Sequence, residues 1–327
     1  MPTTDFEPTF ARCAARVIES LRPDLGDHFV VVFDGAEPTA PRWLEDAGAV
    51  VLSTGRRSGP AVARNLGAES ARGDVVVFVD ADVELAADAL ERFRRAFDDD
   101  PDLCGIFGAY DTDPAAPGLV SRFRNLLHHH THLRHAGPAE TFWSGCGAMR
   151  TRSFLDLGGF DPAYEHPSIE DIDLGTRACA AGGRFVLDPS IRCTHHKRWT
   201  LASMILTDVF RRAVPWTRRI VRNGRMSKRL GLDVRSRASG VLSVFAAASL
   251  LAGGFVERAM LLPSCACLAA VLALNADFYA LCHRRYGIAF AAGSFLLHCL
   301  YFTYATIAFG TVVVVERLRN VVGNRPS

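Results

Sequence analysis

Residues Gly73–Leu85 read GDVVVFVDADVEL. Gly73 and Asp74 make a turn. Val75–Val79 is a short unbroken run of β-branched and aromatic residues, the pattern of a strand buried on both faces of a parallel sheet. The run stops at Asp80-Ala81-Asp82, which sets two carboxylates at the carboxyl end of a buried strand, where ligands sit in open α/β sheets. Oxygen ligands of this kind, joined by diphosphate oxygens, suit Mg²⁺ or Mn²⁺. Taken alone, so short a motif has a plainer reading, with Asp80 ending the strand and Asp82 capping a following helix. The rest of the chain decides between them.

Working outward from this stretch, strands and helices alternate. Phe10–Leu21 carries apolar residues at helical spacing. Phe29–Phe33 reads as a second buried strand, ending in Asp34-Gly35. Trp43–Ala47 is a short helix and Val50–Leu52 a small strand. Gly55–Gly59 is a basic loop, and Pro60–Ser70 a helix carrying Arg64. Ala86–Asp98 is an amphipathic helix, and Cys104–Tyr110 another strand. This is the order of a doubly wound α/β domain.

Further on, Phe123–His135 reads as a helix on which His128, His132 and His135 share a face. A solvated helix explains that spacing as well as a metal site does. The small residues of Phe142–Met149, FWSGCGAM, let a ligand approach the backbone closely. Ile169–Leu174, IEDIDL, opens a helix with Glu170, Asp171 and Asp173, a placement the helix dipole also favours. Phe185–Leu187 is the last strand, and His195-His196-Lys197-Arg198-Trp199 follows it.

The 327 residues are long enough for one large domain and a smaller part. Charge concentrates before about residue 237 and apolar runs dominate after it. The net charge of +2 gives no bulk electrostatic case for a nucleic-acid partner. Nine cysteines without a CxxC pair fit free thiols, in a reducing compartment or in lipid. The polar start, Met1–Phe10, does not read as a signal peptide.

Four features stand in sequence: ARNLGAESARGD leading into VVVFVDADVEL, then SGCGAM, then GGFDPAYEHPSIEDIDLGTRACAAGG, then HHKRWT. Over about Pro2–Arg222 the chain resembles the family 2 glycosyltransferases, inverting enzymes of the GT-A fold. The resemblance implies a Rossmann-like α/β domain with a mostly parallel sheet over residues 1–200, acting on a nucleotide-sugar donor with Mg²⁺ or Mn²⁺. It implies that Asp34 reads the nucleotide base, with Thr3 and Arg64 on the donor side. Asp80 then contacts the ribose or the metal, Asp82 binds the metal, and His195 stands near the metal and the diphosphate, with His196 the less favoured histidine. Asp171 is implied as the catalytic base with Glu170 its neighbour, and Trp143, Gly145, Cys146 and Gly147 lie on the acceptor side. Arg198 and Trp199 loosely match the basic-aromatic motif that closes over the diphosphate in processive relatives. The fuller motif begins with glutamine, which this chain lacks, so polymer synthesis is disfavoured.

The chemistry requires such a set. A hydroxyl is a poor nucleophile, so a carboxylate must take its proton as it attacks the anomeric carbon. The departing diphosphate gains charge that cations stabilise. Inversion needs one base, which makes a raised pKa at Asp171 an expectation. One departure stands out: relatives begin with an apolar strand ending in a Pro-Thr turn, and here Pro2-Thr3-Thr4 resembles the turn without the strand. Either the start lies too far downstream or the sheet has a gap.

Residues 201–237 alternate apolar residues with arginines, among them Arg211, Arg212, Arg218, Arg219, Arg222, Arg225 and Arg229. This reads as basic amphipathic helices on an anionic membrane surface. Within residues 238–316, Ala238–Val256, Ala259–Leu281 and Ile288–Val315 are apolar enough for about three transmembrane helices. Residues 317–327 form a tail with Arg317, Arg319 and Arg325, whose charge conflicts with an external position. The expected protein is a multi-pass cell-membrane glycosyltransferase with a cytoplasmic catalytic domain and a lipid-linked or membrane-proximal acceptor, and no nucleic acid. The alternatives are a processive synthase and a catalytically silent nucleotide- or sugar-binding membrane protein.

Overall fold

The computed structural model describes residues 1–114, 116–223 and 233–323. Arg225, Arg229 and Arg325 lie outside the described residues. The chain divides into two compact units, Met1–Ala116 with Thr131–Lys197, and Pro117–His130 with Arg198–Ser327.

The first unit opens with β1 (Pro2–Thr3), α1 (Pro8–Ser20), β2 (Val30–Phe33), α2 (Arg42–Asp46), β3 (Val50–Ser53) and α3 (Pro60–Glu69). There follow β4 (Val75–Val79), β5 (Val83–Leu85), α4 (Ala89–Asp99) and β6 (Leu103–Tyr110). α5 (Leu119–Arg134) runs from residues of the second unit into the first. β7 (Gly137–Ala139), β8 (Cys146–Arg150), α6 (Thr151–Asp156), α7 (Glu170–Ala180) and β9 (Arg184–His195) complete the first unit.

Local sequence accounts for these elements. Pro8 starts α1 where its missing N–H costs nothing, and Phe10, Cys13, Ala14 and Val17 form its buried stripe. α3 follows Gly59 at φ 91° and begins with Pro60. A side chain at Gly59 would meet the Glu165 carbonyl oxygen at 2.3 Å, so this turn admits only glycine. Phe93 and Phe97 of α4 join Phe10, Val31, Leu85, Ile106 and Ala148 in the main core.

Strands β1, β2 and β3 form a parallel sheet in that order. The larger sheet is mixed, in the order β4-β8-β6-β9-β5, with β7 added on β9. Only β6 and β9 pair in parallel there. This corrects the reading of β4: its partner β8 is antiparallel, and its other edge meets no strand among the described residues. Val75, Val76 and Val77 are accordingly half-buried, and only Phe78 and Val79 are fully enclosed.

Strands β5, β7 and β8 escaped the sequence pattern, and β9 was read too short. Val83–Leu85 forms β5 against β9, not the start of a helix, with Val83 and Leu85 pointing inward. FWSGCGAM contains β8, where Gly147 packs beneath the Phe142 ring and the Trp143 carbonyl. The last strand is 12 residues long and bends at register shifts against β6, so it ends at His195 rather than Leu187.

In the second unit, α8 (Leu201–Leu206) is followed by a π-helical turn, Thr207–Ala213, and by α9 (Val214–Asn223). α10 (Val234–Phe255), α11 (Leu261–Leu274) and α12 (Ala276–Gly323) follow. The Asp208 carboxylate in the π turn accepts from Arg124 and, at 2.6 Å, from the Tyr304 hydroxyl. α10 and α11 make an antiparallel hairpin: Ser264 Oγ donates to the Ala246 carbonyl, and Asn275 Nδ2 to Ser239 Oγ. Among the described residues, two helices are long and apolar enough to cross a membrane, Val234–Phe255 and Ala276–Arg319. The expected middle span is not one helix. It breaks at Asn275 (φ −117°, ψ 24°), leaving a helix of 14 residues. That is about 21 Å, short of a bilayer core of about 30 Å. α12 itself bends at Gly287, whose φ is 83°.

Candidate active site

The ends of β4 and α7 are drawn together by one buried cation. Arg64 projects from α3 with its side chain 5% exposed. Its Nη2 donates to Asp80 Oδ1 at 2.6 Å and its Nη1 to Glu170 Oε1 at 2.9 Å. Burial alone would lower the Arg64 pKa, but the charges of Asp80 and Glu170 outweigh it and raise it. The second Glu170 oxygen accepts from the Ser168 amide at 2.8 Å. Glu170 thus starts α7 and grips Arg64 at once.

Asp171, the next residue, is half-buried. Its Oδ1 accepts from the Ile172 amide at 2.7 Å, and the Ser144 amide approaches Oδ2 at 3.4 Å. Burial, with the negative charge of Glu170 added, pushes its carboxyl up to about 7, against the opposing pull of Arg64. The neighbouring Gly145 carbonyl accepts from the Asp80 amide at 3.2 Å. The Trp143–Gly147 loop therefore ties the DxD strand to the start of α7. Gly145 is required there, since a Cβ would meet the Trp143 ring at 2.7 Å. Cys146 and Gly147 continue into β8 and are buried.

Asp82 lies at the other side of the motif. Its Oδ2 is 3.4 Å from His195 Nε2 at the end of β9. Burial pushes the Asp82 carboxyl up, but the hydrogen bond and charge of His195 outweigh it and hold it below the usual range. The His195 ring lies flat on Tyr110, with centroids 4.7 Å apart and planes 5° from parallel. Tyr110 in turn meets the Trp143 ring edge-on at 4.8 Å. His196 turns elsewhere: its Nε2 lies 2.8 Å from Glu84 Oε2.

The donor set tests the expected cation. A carboxylate suits Mg²⁺ or Mn²⁺ completed by diphosphate and water oxygens, and an imidazole beside it favours Mn²⁺, the softer of the two. Asp82 and His195 fit that role, whereas Asp80 is turned to Arg64. No group of three metal-ligating side chains stands together among the described residues. The histidines of α5 do not gather either. His132 packs on Trp143 with ring centroids 5.3 Å apart, His135 Nδ1 lies 2.8 Å from the Thr131 carbonyl, and His128 Nε2 lies 3.3 Å from Arg212.

Asp34 is buried at the end of β2 and accepts three hydrogen bonds from one loop. Its Oδ1 takes Thr54 Oγ1 at 3.0 Å and the Ser58 amide at 2.8 Å, and its Oδ2 takes the Gly59 amide at 3.0 Å. Its own amide donates to the Thr3 carbonyl at 2.7 Å, which places Thr3 beside it. Asp34 so shapes the loop bearing the exposed Arg56 and Arg57. Arg198 is exposed at the start of the second unit. Trp199 is a core residue of that unit, packed with Phe123, Leu126 and Met204, and its amide donates to Ser121 Oγ.

Sequence reasoning missed Tyr110, Thr54 and Ser58. Tyr110 ends a strand buried along its whole length, and a polar aromatic at that position was the available signal.

Residues 1–158 match the model of glycosyl transferase family 2. The pre-mycofactocin glycosyltransferase of Mycobacterium tuberculosis (strain CDC 1551 / Oshkosh) is 29% identical over 212 residues, covering 60% of this chain and 42% of the relative. Polypeptide N-acetylgalactosaminyltransferase 10 of Mus musculus is 27% identical over 213 residues, covering 56% of this chain and 34% of the relative. The chain thus spans less than half the length of these curated relatives. A solved mannosyltransferase from Pyrobaculum calidifontis, in complex with GDP-Man and Mn²⁺, superposes with a TM-score of 0.54 at 16% identity, covering 96% of this chain and 86% of that one. That likeness is one of fold: the chain has the GT-A fold, and its residues 1–158 are similar to glycosyl transferase family 2.

Proposed function

We propose that the chain is a membrane-anchored, cation-dependent inverting glycosyltransferase that moves a sugar from a nucleotide-sugar donor to a lipid-linked or membrane-proximal acceptor. The observation that carries this reading is the Arg64 bridge between Asp80 and Glu170, which sets Asp171 beside the DxD stretch.

In this reading the acceptor hydroxyl attacks the anomeric carbon while Asp171 takes its proton. The new C–O bond forms as the bond to the diphosphate oxygen breaks, and the electron pair leaves with the diphosphate. A carboxyl titrating at about 7 is matched to this task near neutral pH. Asp82 and His195 would hold a divalent cation, which supplies positive charge to the leaving group. The Mn²⁺ in the mannosyltransferase neighbour is in keeping with that assignment. Asp80, Asp34, Thr3 and Arg64 line the donor side, and Trp143 with the Gly145–Gly147 backbone the acceptor side. Arg198 stands next along the chain, and the packing of Trp199 in its own unit speaks against a closing role.

Membrane anchoring is supported by the second unit, read as interfacial residues 201–237, membrane residues 238–316 and a tail. Its helices turn large apolar side chains outward, with Phe255 87%, Val256 83%, Leu262 75% and Ile288 72% exposed. Its interior holds Ser239, Ser243, Ser264, Asn275 and His298. Water disfavours such an outer face and lipid favours it. The α10–α11 hairpin would enter the bilayer tip first, leaving the Arg235–Asp277 ion pair at its polar end. The catalytic unit would face the cytoplasm, where nucleotide sugars are made.

The test is release of nucleoside diphosphate from a panel of nucleotide sugars by detergent-purified protein, with and without Mn²⁺. Metal-dependent release from one donor, lost in Asp171→Asn with nucleotide binding retained, is the expected result. Nucleotide binding without turnover for any donor and any lipid acceptor would favour the silent binding protein.

A further inference from the structure

Two neighbouring residues of α3 hold the segment that leads to Asp171. Arg64 reaches Glu170 directly. Asn65, the next residue, makes two hydrogen bonds to the backbone of Phe160, which is fully buried. Its Nδ2 donates to the Phe160 carbonyl at 2.8 Å, and its Oδ1 accepts from the Phe160 amide at 2.9 Å. A primary amide carries a donor and an acceptor side by side, which matches the N–H and C=O of one residue. The approach is close, since a Cβ on Gly159 would meet Asn65 Oδ1 at 2.5 Å.

This hold on Phe160 reaches α7 by a short route. Arg177 of α7 donates from Nη1 to the Leu157 carbonyl at 2.8 Å and from Nη2 to the Gly159 carbonyl at 2.5 Å. Its Nε donates to Asp173 Oδ2 at 2.7 Å, one turn nearer the start of the helix. The Phe160 ring lies against Arg64, 5.5 Å from the guanidinium carbon, and meets Phe78 of β4 edge-on at 5.2 Å. α7 is therefore attached to α3 at two places. One runs from Glu170 to Arg64, the other from Arg177 through the turn before Phe160 to Asn65. A helix held at one point can pivot about it, and a second hold about two turns further along stops the pivot. Asp171 lies between the two.

We propose that Asn65 is a positioning residue for the transfer reaction: its grip on the Phe160 backbone, carried through Arg177, stops α7 from pivoting and keeps the Asp171 carboxylate where it meets the acceptor hydroxyl. The inference rests on the reading of Asp171 as the base. A displacement of about 1 Å at a reacting group can cost about 10²-fold in rate, so a residue remote from the chemistry can govern it.

The test compares the full chain with Asn65→Ala, Asn65→Asp and Arg177→Lys. Asn65→Asp keeps the size and the acceptor but loses the donor, and Arg177→Lys loses the fork that spans two carbonyls. The first reading needs no substrate. Amide hydrogen exchange within α7 should quicken at least about tenfold in each variant, while exchange at Leu103–Tyr110 shows that the protein is folded. The second is nucleoside diphosphate release from the panel of nucleotide sugars with Mn²⁺. In Asn65→Ala, kcat should fall about 10–100-fold and the donor KM change less than about threefold. The acid limb of kcat/KM should move to lower pH, because a carboxylate no longer held in place gains water. Unchanged exchange within α7 in a folded variant at Asn65 would overturn the proposal. So would a lower unfolding temperature joined to an unchanged kcat and acid limb, the mark of a merely structural clamp. Undiminished turnover in Asp171→Asn would overturn it by a separate route, by removing the base that Asn65 positions.

Discussion

Arg64 Nη1 and Glu170 Oε1 meet at 2.9 Å across 106 residues of sequence, with both side chains 5% exposed. A buried pair of this kind is expensive to break from one side, because the abandoned charge stays out of water. Arg64→Ala should destabilise the protein by about 3–5 kcal/mol, mostly through the stranded Glu170. Arg64→Lys keeps the charge but not the planar fork that reaches two carboxylates at once, and should fall between. Urea denaturation midpoints of the three proteins check this order.

Asp171 sets a pH dependence. Its folded carboxyl titrates at about 7, above the ordinary 3.8. The base must be ionised to accept a proton, so kcat/KM should rise with pH through about 7. Stability runs the other way. A raised carboxyl favours folding fully below the unfolded value near 4, and that contribution is lost as pH climbs from there through about 7. Asp171→Asn should cost about 10²–10⁴-fold in turnover and flatten the acid limb. A pH–rate series with a parallel series of melting temperatures separates the two effects.

His195 and Asp82 should govern the cation requirement. His195→Ala or Asp82→Asn removes one of two adjoining donors and should abolish most of the Mn²⁺ response. Tyr110→Leu leaves both donors but takes away the flat ring that orients His195. Its cation affinity should weaken by about 10–100-fold, as for loss of an orienting neighbour. Mn²⁺ titrations of binding and of diphosphate release measure all three.

Gly147→Ala probes the loop behind the site. The added Cβ would stand 2.4 Å from the Trp143 carbonyl oxygen and 2.7 Å from the Phe142 ring. Overpacking there should cost about 1–3 kcal/mol and disturb the Trp143–Gly147 turn. Thermal unfolding reads the first effect, and the KM for acceptor the second.

Much of the fold was legible because its signals are local. Val30–Phe33 and Val75–Val79 are apolar runs of strand length, and Phe10, Cys13, Ala14 and Val17 repeat at helical spacing. The strand directions were not legible, since β4 reads the same beside a parallel or an antiparallel neighbour. β8 was hidden because Gly147 answers to the Phe142 ring and the Trp143 carbonyl, not to strand propensity. The site residues were found by type and order, but Arg64 was placed by the resemblance on the donor side. Its grip on Asp80 and Glu170 depends on α3 and α7 meeting, which no spacing along the chain encodes. The single-helix reading of residues 259–281 failed because Asn275 prefers two side-chain hydrogen bonds to helix continuation.

The fold leaves a cavity of about 520 Å³ beside β4, and this makes the first unit sensitive to hydrostatic pressure. Unfolding eliminates internal void, so a protein with more of it loses more volume when it opens. Compression should therefore reach this unit first along Val75–Val79, which pair with β8 on one edge and border the cavity on the other, where no strand stands among the described residues.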